Sequence, residues 1–542
     1  MKKLVSMVLA LVMVLTLTNA LATSTEAMGG LEANWWVDVE LPKSELYYNE
    51  MTITALGAHY NQYSTEFDGC YYLPSIEKMT GVHFNIDWRS RDGDYEVVVA
   101  TTLAQGMDKL PHMITAGDYG VAQLASDGAI VALDEYLDLM PNVVAAVGED
   151  RMAQWREADG HIYALPDLVN VPGAESMAVR KDWLDKLGMA VPTTWEEWKA
   201  YWYAVRDNDM NGNGDSADEI PLVLETLNTG AGSLQALLNA FGIACSKDCQ
   251  FCVLPDGTYT MVYEHPNYKA FLEEVRVLYA DGILDPEFVT RYKAELYNTM
   301  SGNLAGSVFT YAEQSAVHTE SLIASGVEDA LYLTCAPIVG PFGDSMLKTR
   351  EGLSKKWCLT VKAEEEGLVE ELCKFWNWQF SEEGEKLYAY GIEGYTYDMI
   401  DGAPIMRKEV VEGGFNTYRT MGMQFGPFGG NWKSESFMQC VFSGLSLDEL
   451  SVPRKSFYDG LNSEGVNKGK YYIMPATYST EAYLEYAGEL ITGGNGVCGL
   501  RDQCIAGQLT IDEFYARYEE LKTRGLQEVI DQGTEAYAKV SQ

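Results

Sequence analysis

"RKDWLDKLGMAVPTTWEEWKAYWYAVRDNDMNGNGDSADEIPL", residues Arg180 to Leu222, places a helix, an acidic loop and an apolar strand start in direct succession. Thr194 and Glu197 spell a capping box: the Thr oxygen accepts from an orphan N–H of the first turn, and the Glu reaches back to the chain entry. Trp195, Trp198 and Trp202 then fall at i, i+3 and i+7, one face of that helix. Such a stripe can stack sugars or fill a core. Core packing is the stronger reading, because three indoles on one helical face rarely all meet solvent. Past the helix, Asp209 to Glu219 gathers Asp and Asn oxygens around two glycines, and Ile220-Pro221 stops any further helix.

Calcium takes six to eight oxygens in a flexible geometry, so it needs closely spaced carboxylates and carboxamides with glycines to turn the backbone. Counted from Asp207, EF-hand spacing puts oxygens at Asp207, Asp209, Asn211, Asn213 (backbone) and Asp215, with Gly212 at the sharp turn. The twelfth position is Asp218 rather than Glu, and the proline forbids the second helix of a helix–loop–helix. A metal-free loop of Asx turns is the alternative. Crowded carboxylates repel without a cation, which favours calcium. The ion would be structural, since no nucleophile, histidine base or open-site pattern lies nearby.

At 542 residues the chain is too long for one ordinary core, and 47% hydrophobic content argues for packed lobes. A net charge of −40 argues against nucleic acid and anionic membrane surfaces as partners, which need basic patches. Lys2–Lys3, an apolar run from Leu4 to Leu17 and Ala20-Leu21-Ala22 make residues 1–22 a Sec-type signal peptide. Export to an extracellular or periplasmic location is expected. The first cysteine is Cys70, so no lipid-anchor cysteine is expected at the mature N-terminus. Cys245, Cys249 and Cys252 could be three metal thiolates, but a fourth ligand is missing; a local disulfide or buried thiols fit better.

Most of the length alternates strand-like and helix-like periods. "MTITALGAHY" reads as a strand, "YLPSIEKMTGVHFNIDW" as a helix leading into a strand, "DYEVVVATTLAQG" as a helix, and "LPHMITAG" as a buried parallel strand. "TYTMVYEHPNYKAFLEEVRVLYADG" and "DALYLTCAPIVG" continue the alternation, and the last third is mainly helical. The fold class is α/β.

The stretch that opens at Arg180 resembles the large solute-binding proteins of bacterial ABC sugar importers, the branch that includes alginate-oligosaccharide binders. The match runs through Arg180 to Leu184, Leu187-Gly188, Pro192 to Thr194, Asp209 to Gly214 and Asp218 to Pro221. "MTGVHFNIDW", "LDEYLDLMPN", "DGHIYALP", "YADGILDPEF" and "YGIEGYTYDMIDG" look like the same family. The resemblance implies a two-lobe, periplasmic-binding-protein-like clamp of type II with a helix-rich C-terminal part. It places residues 45–165 plus 310–360 in an N-terminal lobe, and 170–308 plus 363–542 in a C-terminal lobe carrying the calcium loop 207–219. Hinge crossings are expected near 165–178, 307–312 and 358–363.

By the family's register the calcium ligands are Asp209, Asn211, Asn213, Asp215, Asp218 and Glu219, with Asp207 outside and one extra residue after Asp215. The implied function is an extracellular receptor that binds an oligosaccharide by clamp closure and delivers it to ABC permease subunits. It would act without catalysis, with a structural Ca2+, as a monomer. Sugars offer apolar C–H faces and hydroxyl rims, so receptors pair aromatic platforms with carboxylates and amides. Candidates at loop and crossing positions are Asp118, Tyr119, Tyr311, Glu313, Glu393, Tyr395 and Trp432. The other reading is a secreted carbohydrate-active enzyme with a structural calcium site, its acid and nucleophile being two of the many carboxylates. No histidine cluster or G-x-S-x-G elbow supports it.

Overall fold

The computed structural model describes residues 39–59, 71–90, 94–116, 120–170, 175–225, 234–246, 248–348, 352–407 and 475–540, with 410, 431–433, 452–453, 455–456 and 470–472. The signal segment 1–22 lies outside the described residues. The main sheets use strands β1 (Met51–His59), β2 (Val82–Ser90), β3 (Met113–Thr115), β4 (Ala164–Asn170), β5 (Glu175–Arg180), β6 (Ile220–Val223), β7 (Ala305–Tyr311), β8 (Tyr332–Thr334), β9 (Gly352–Leu359) and β10 (Asn431–Lys433). The chain forms two compact units.

The first unit takes the described residues up to Gly148, Ile162–Val169 and those within Leu353–Glu449. Its six strands run in the order β10-β4-β9-β3-β1-β2. The β1 strand pairs in parallel with both β2 and β3, while β9 lies antiparallel to β3. The helix Tyr72–Thr80 returns the chain from β1 to β2. It stops at Gly81, whose left-handed φ of 79° lets its N–H reach Glu77 O. Gly57 is paired with Trp88, and a Cβ there would overlap the indole, so the glycine leaves room for the ring in its present place. That ring meets Trp357 of β9 edge-on at 6.2 Å. Because β2 and β3 flank β1 on opposite sides, the strand order reverses at the carboxyl ends of β1 and β3, where open α/β sheets hold ligands.

The second unit takes Glu149–His161, Asn170–Gly352 and the described residues after 450. Its main sheet runs β8-β5-β7-β6, with β5 antiparallel to β7 and β8, and β6 parallel to β7. The helix Trp195–Arg206 carries the expected capping box: Thr194 accepts from Glu197 N, and the Glu197 side chain reaches back. Trp195, Trp198 and Trp202 are all buried, with Tyr201 and Val205, in the unit's main core. The stripe is therefore core and not a sugar platform. A second capping box, Thr510 with Glu513, starts the C-terminal helix pair.

The unit boundaries differ from the expected ones. The described residues within 310–352 stay with the second unit, because β7 is interior to its sheet and the following β8 pairs with β5. No crossing occurs at 307–312. The return to the first unit falls at 352/353, at the start of β9, which pairs with β3 over Trp357 to Leu359; the boundary lies a few residues before the expected 358–363. The described residues within 363–449 then belong to the first unit rather than to the other lobe. The helices Val369–Gln379 and Glu382–Ala389 are bound to it by Asn142 N donating to Asn377 Oδ1 (2.7 Å) and Tyr71 Oη to Leu387 O (2.8 Å). A short excursion, Glu149–His161, also leaves the expected N-terminal lobe for the second unit.

Candidate functional site

The acidic loop folds on its own side chains. Asp209 accepts from Gly212 N through one oxygen (2.6 Å) and from Gly214 N through the other (2.8 Å). Both glycines have left-handed φ, 79° and 92°, which brings their N–H groups round to the carboxylate. Asn211 Oδ1 accepts from Asn213 N (3.0 Å), Asn213 Oδ1 from Asp215 N (2.7 Å), and Asp215 Oδ1 from Ala217 N (3.0 Å), a succession of Asx turns. The two Asn amides donate to the two oxygens of Asp218, at 3.1 and 2.6 Å. Hydrogen bonding from Gly214 N–H, opposed by some desolvation and aided by Gly212 N–H and the Lys186 charge, holds the Asp209 carboxyl below its ordinary range.

Glu219 closes the loop from inside. It is 7% exposed, and its Oε1 accepts from Met210 N (2.6 Å) and Asn211 N (3.0 Å). Its Oε2 is buried with no hydrogen-bond partner. A buried carboxylate oxygen in that state costs free energy unless a cation or donor meets it. An oxygen-rich loop with one orphaned carboxylate oxygen has the donor chemistry of a hard cation such as calcium. Asp207 stands apart, its carboxylate accepting from Arg206 Nε at 2.7 Å. Among the described residues no three His, Cys, Asp or Glu side chains gather as a metal cluster. Two of the loop's six candidate donors are asparagines, and those amides engage Asp218. The cysteine trio is buried, with Cys245 and Cys252 facing each other across an antiparallel bridge. Burial pushes the Cys252 thiol up to about 12, so it is a protonated core side chain rather than a ready thiolate.

The sequence-derived ligand candidates are divided between the units. Asp118 and Tyr119 lie outside the described residues, within the three positions that follow Ala116 beyond the end of β3. Glu393 and Tyr395 are exposed on a turn that leads into the hairpin Tyr397–Ile400/Ala403–Met406. The helix Glu382–Ala389 just before that turn packs on β10, where Trp432 is the middle residue. Tyr311 ends β7 in the second unit, half-buried, and Glu313 follows in the first turn of the helix Ala312–Ala324.

Sequence reasoning missed the polar group around Tyr311. Glu175, the first residue of β5, pairs with Tyr311, and Ser176 pairs with Thr310. Glu225 lies two residues past the carboxyl end of β6, the strand parallel to β7. Glu175, Ser176, Glu225 and Thr310 are all buried, at 7%, 1%, 5% and 7% exposure. They form a polar edge at one end of the sheet, the end at which its parallel strands finish. A signal was present in the sequence: a carboxylate directly after the apolar run Pro221 to Leu224, and another opening "ESMAVR".

No protein-family model matches the chain. In three dimensions it superimposes on the alginate-binding protein AlgQ2, solved without calcium ion, with a TM-score of 0.67 and 18% identity over 92% of this chain and all of that one. The Streptococcus pneumoniae ABC-transporter substrate-binding protein FusA, solved with kestose, gives 0.63 and 20% identity over 90% of this chain and 99% of that one. This is the two-lobe fold of ABC-transporter solute-binding proteins. In sequence, the FusA of S. pneumoniae serotype 4, a fructooligosaccharide ABC transporter substrate-binding protein, is 32% identical over 227 residues, 40% of this chain and 41% of FusA. The lipoprotein LipO of Bacillus subtilis is 23% identical over 350 residues, 61% of this chain and 64% of LipO. The chain thus spans less than two thirds of either curated relative. FusA has also been solved as an EF-hand mutant in complex with fructo-nystose.

Proposed function

We propose that this solute-binding-protein fold serves an ABC importer as an exported receptor for an uncharged oligosaccharide, with no catalytic step. The observation that carries the reading is the polar edge of Glu175, Ser176, Glu225, Thr310 and Tyr311, set at the end of the sheet where the parallel strands β6 and β7 finish. Carboxylates accept from sugar hydroxyls, and the tyrosine offers a face to C–H groups. Asp118, Tyr119, Glu313, Glu393, Tyr395 and Trp432 are the remaining contact candidates. The segment shared with a fructooligosaccharide-binding protein supports the sugar class, and the net charge of −40 disfavours a polyanion such as alginate. Trapping by lobe closure, delivery to permease subunits, a monomeric state and export by the 1–22 signal complete the proposal. Among the described residues no helix is long and apolar enough to cross a membrane.

The loop would hold one structural calcium through Asp209, Asn211, Asn213, Asp215, Asp218 and Glu219. The orphaned Glu219 Oε2 supports that set. The ion supplies charge compensation; this chain's residues do the rest, Gly212 and Gly214 turning the loop and Glu219 tying its two ends together. Calorimetric titration with kestose, nystose, human-milk oligosaccharides and alginate oligosaccharides tests the receptor reading. Saturable binding of a neutral oligosaccharide is expected. Sustained release of reducing ends from any of them would instead establish the enzyme.

A further inference from the structure

Lys186, in the last turn of the helix Lys181–Leu187, is not part of the donor set, yet it reaches the loop's entrance. Its Nζ donates to the backbone carbonyls of Asp209 (2.9 Å) and Met210 (3.0 Å), the first two residues of the loop. Asp209 opens the proposed donor set, so this ammonium sits against the backbone of the first proposed ligand, and its positive charge acts on the Asp209 carboxylate. Gly188, left-handed with φ 68°, ends the helix directly after Leu187 and fixes where that last turn stops. Arg206, the cation nearest the loop in sequence, is engaged by Asp207 and by Asp281 O instead. Met210 is buried in the unit's core, so the entrance that Lys186 holds is anchored and not free to swing away.

We infer that Lys186 is a built-in counter-cation for the loop: it offsets the carboxylate charge while the divalent ion is absent and opposes that ion when it binds. The inference rests on the calcium reading of the loop. It makes Lys186 a positioning residue that tunes affinity downward and keeps the loop folded between ion-bound states. Two like charges near a solvent-facing site interact weakly, and a unit charge beside a divalent ion changes affinity on the order of fivefold at low salt. Screening reduces that effect at high ionic strength. A purely mechanical clamp behaves differently, because losing two hydrogen bonds would weaken calcium binding or leave it unchanged.

The test is calorimetric calcium titration of the full chain, chelator-treated beforehand, as wild type and as Lys186→Arg, Lys186→Met and Lys186→Glu. Lys186→Arg should bind as wild type does. Lys186→Met should bind about fivefold more tightly, Lys186→Glu more tightly again, and the spread should shrink in 1 M KCl. In melting scans the calcium-dependent rise should be larger for Lys186→Met than for wild type, the calcium-free protein having lost most. Equal or weaker binding by Lys186→Met, or Lys186→Arg behaving as Lys186→Met does, overturns the role of Lys186 while leaving the calcium site intact. No calcium binding by wild type overturns the loop reading, and this inference with it.

Discussion

Trp202 Nε1 donates a 2.9 Å hydrogen bond to Ser307 Oγ, which in turn donates to Pro221 O at 2.7 Å. This relay joins the helix that enters the acidic loop to the strand that leaves it, through the middle of β7. Ser307→Ala would leave a buried indole N–H and a buried carbonyl short of a partner. A loss of about 1–3 kcal/mol follows from that desolvation. Urea unfolding should show it equally with calcium and with chelator, because both ends of the loop are held in either state. A loss seen only in calcium would place the relay inside the ion's coordination rather than beneath it.

The same stretch explains what was legible beforehand. The capping box, the indole face and the loop of Asx turns are local devices, and each follows from neighbouring residues. Strand and helix order in the first half was readable for the same reason. The unit boundaries were not, because they depend on which strands β7 and β9 pair with, and those pairing partners lie 85 residues or more apart in sequence. The polar edge was missed on similar grounds. Glu175 and Glu225 are fifty residues apart, and only the sheet register brings each beside β7.

Calcium removal should lower stability without touching sugar binding. An ion that binds only the folded chain adds about 2.7 kcal/mol at a hundredfold excess over its dissociation constant. For a chain of this size the melting temperature should fall by about 2–4 °C or less on chelation. Glu219→Gln keeps an oxygen for Met210 N and Asn211 N while removing the charge, so its calcium-free melting point should stay near wild type and its calcium response should be lost. If chelation abolished oligosaccharide binding at a temperature well below melting, the ion would belong to the ligand site.

His318 should make the second unit acid-sensitive. Burial lowers its imidazole to about 4 from an ordinary 6.5, and the ring bonds Ser301 Oγ at 2.8 Å while leaning on Tyr297 at 4.8 Å. The folded pKa is depressed, so the unfolded chain binds the proton first. Stability is complete above about pH 6.5, falls as the pH drops towards 4, and levels off below that. The loss is on the order of 3 kcal/mol across the window. His318→Gln can still bond Ser301 and cannot take up the proton, so its denaturant midpoint should lose less between pH 7 and pH 4.5 than wild type does. Parallel curves for the two proteins would assign the acid sensitivity to carboxylates instead.

Glu225 and Tyr311 give the receptor reading its sharpest test. Glu225 sits at the end of β6 and Tyr311 at the end of the adjoining parallel β7, one offering a carboxylate and the other a ring. A hydrogen bond to a charged group is worth about 1.5–3 kcal/mol, so Glu225→Gln should weaken oligosaccharide binding by roughly ten- to a hundredfold. Tyr311→Ala should lose a comparable amount through the vanished stacking face, and Tyr311→Phe much less. Neither change touches the acidic loop, so the calcium-dependent rise in melting temperature should be the same as in wild type. That control separates a lost contact from a misfolded unit. If both variants bind the sugar at wild-type strength with intact calcium response, the ligand is held elsewhere, and the turn carrying Glu393 and Tyr395 becomes the place to look.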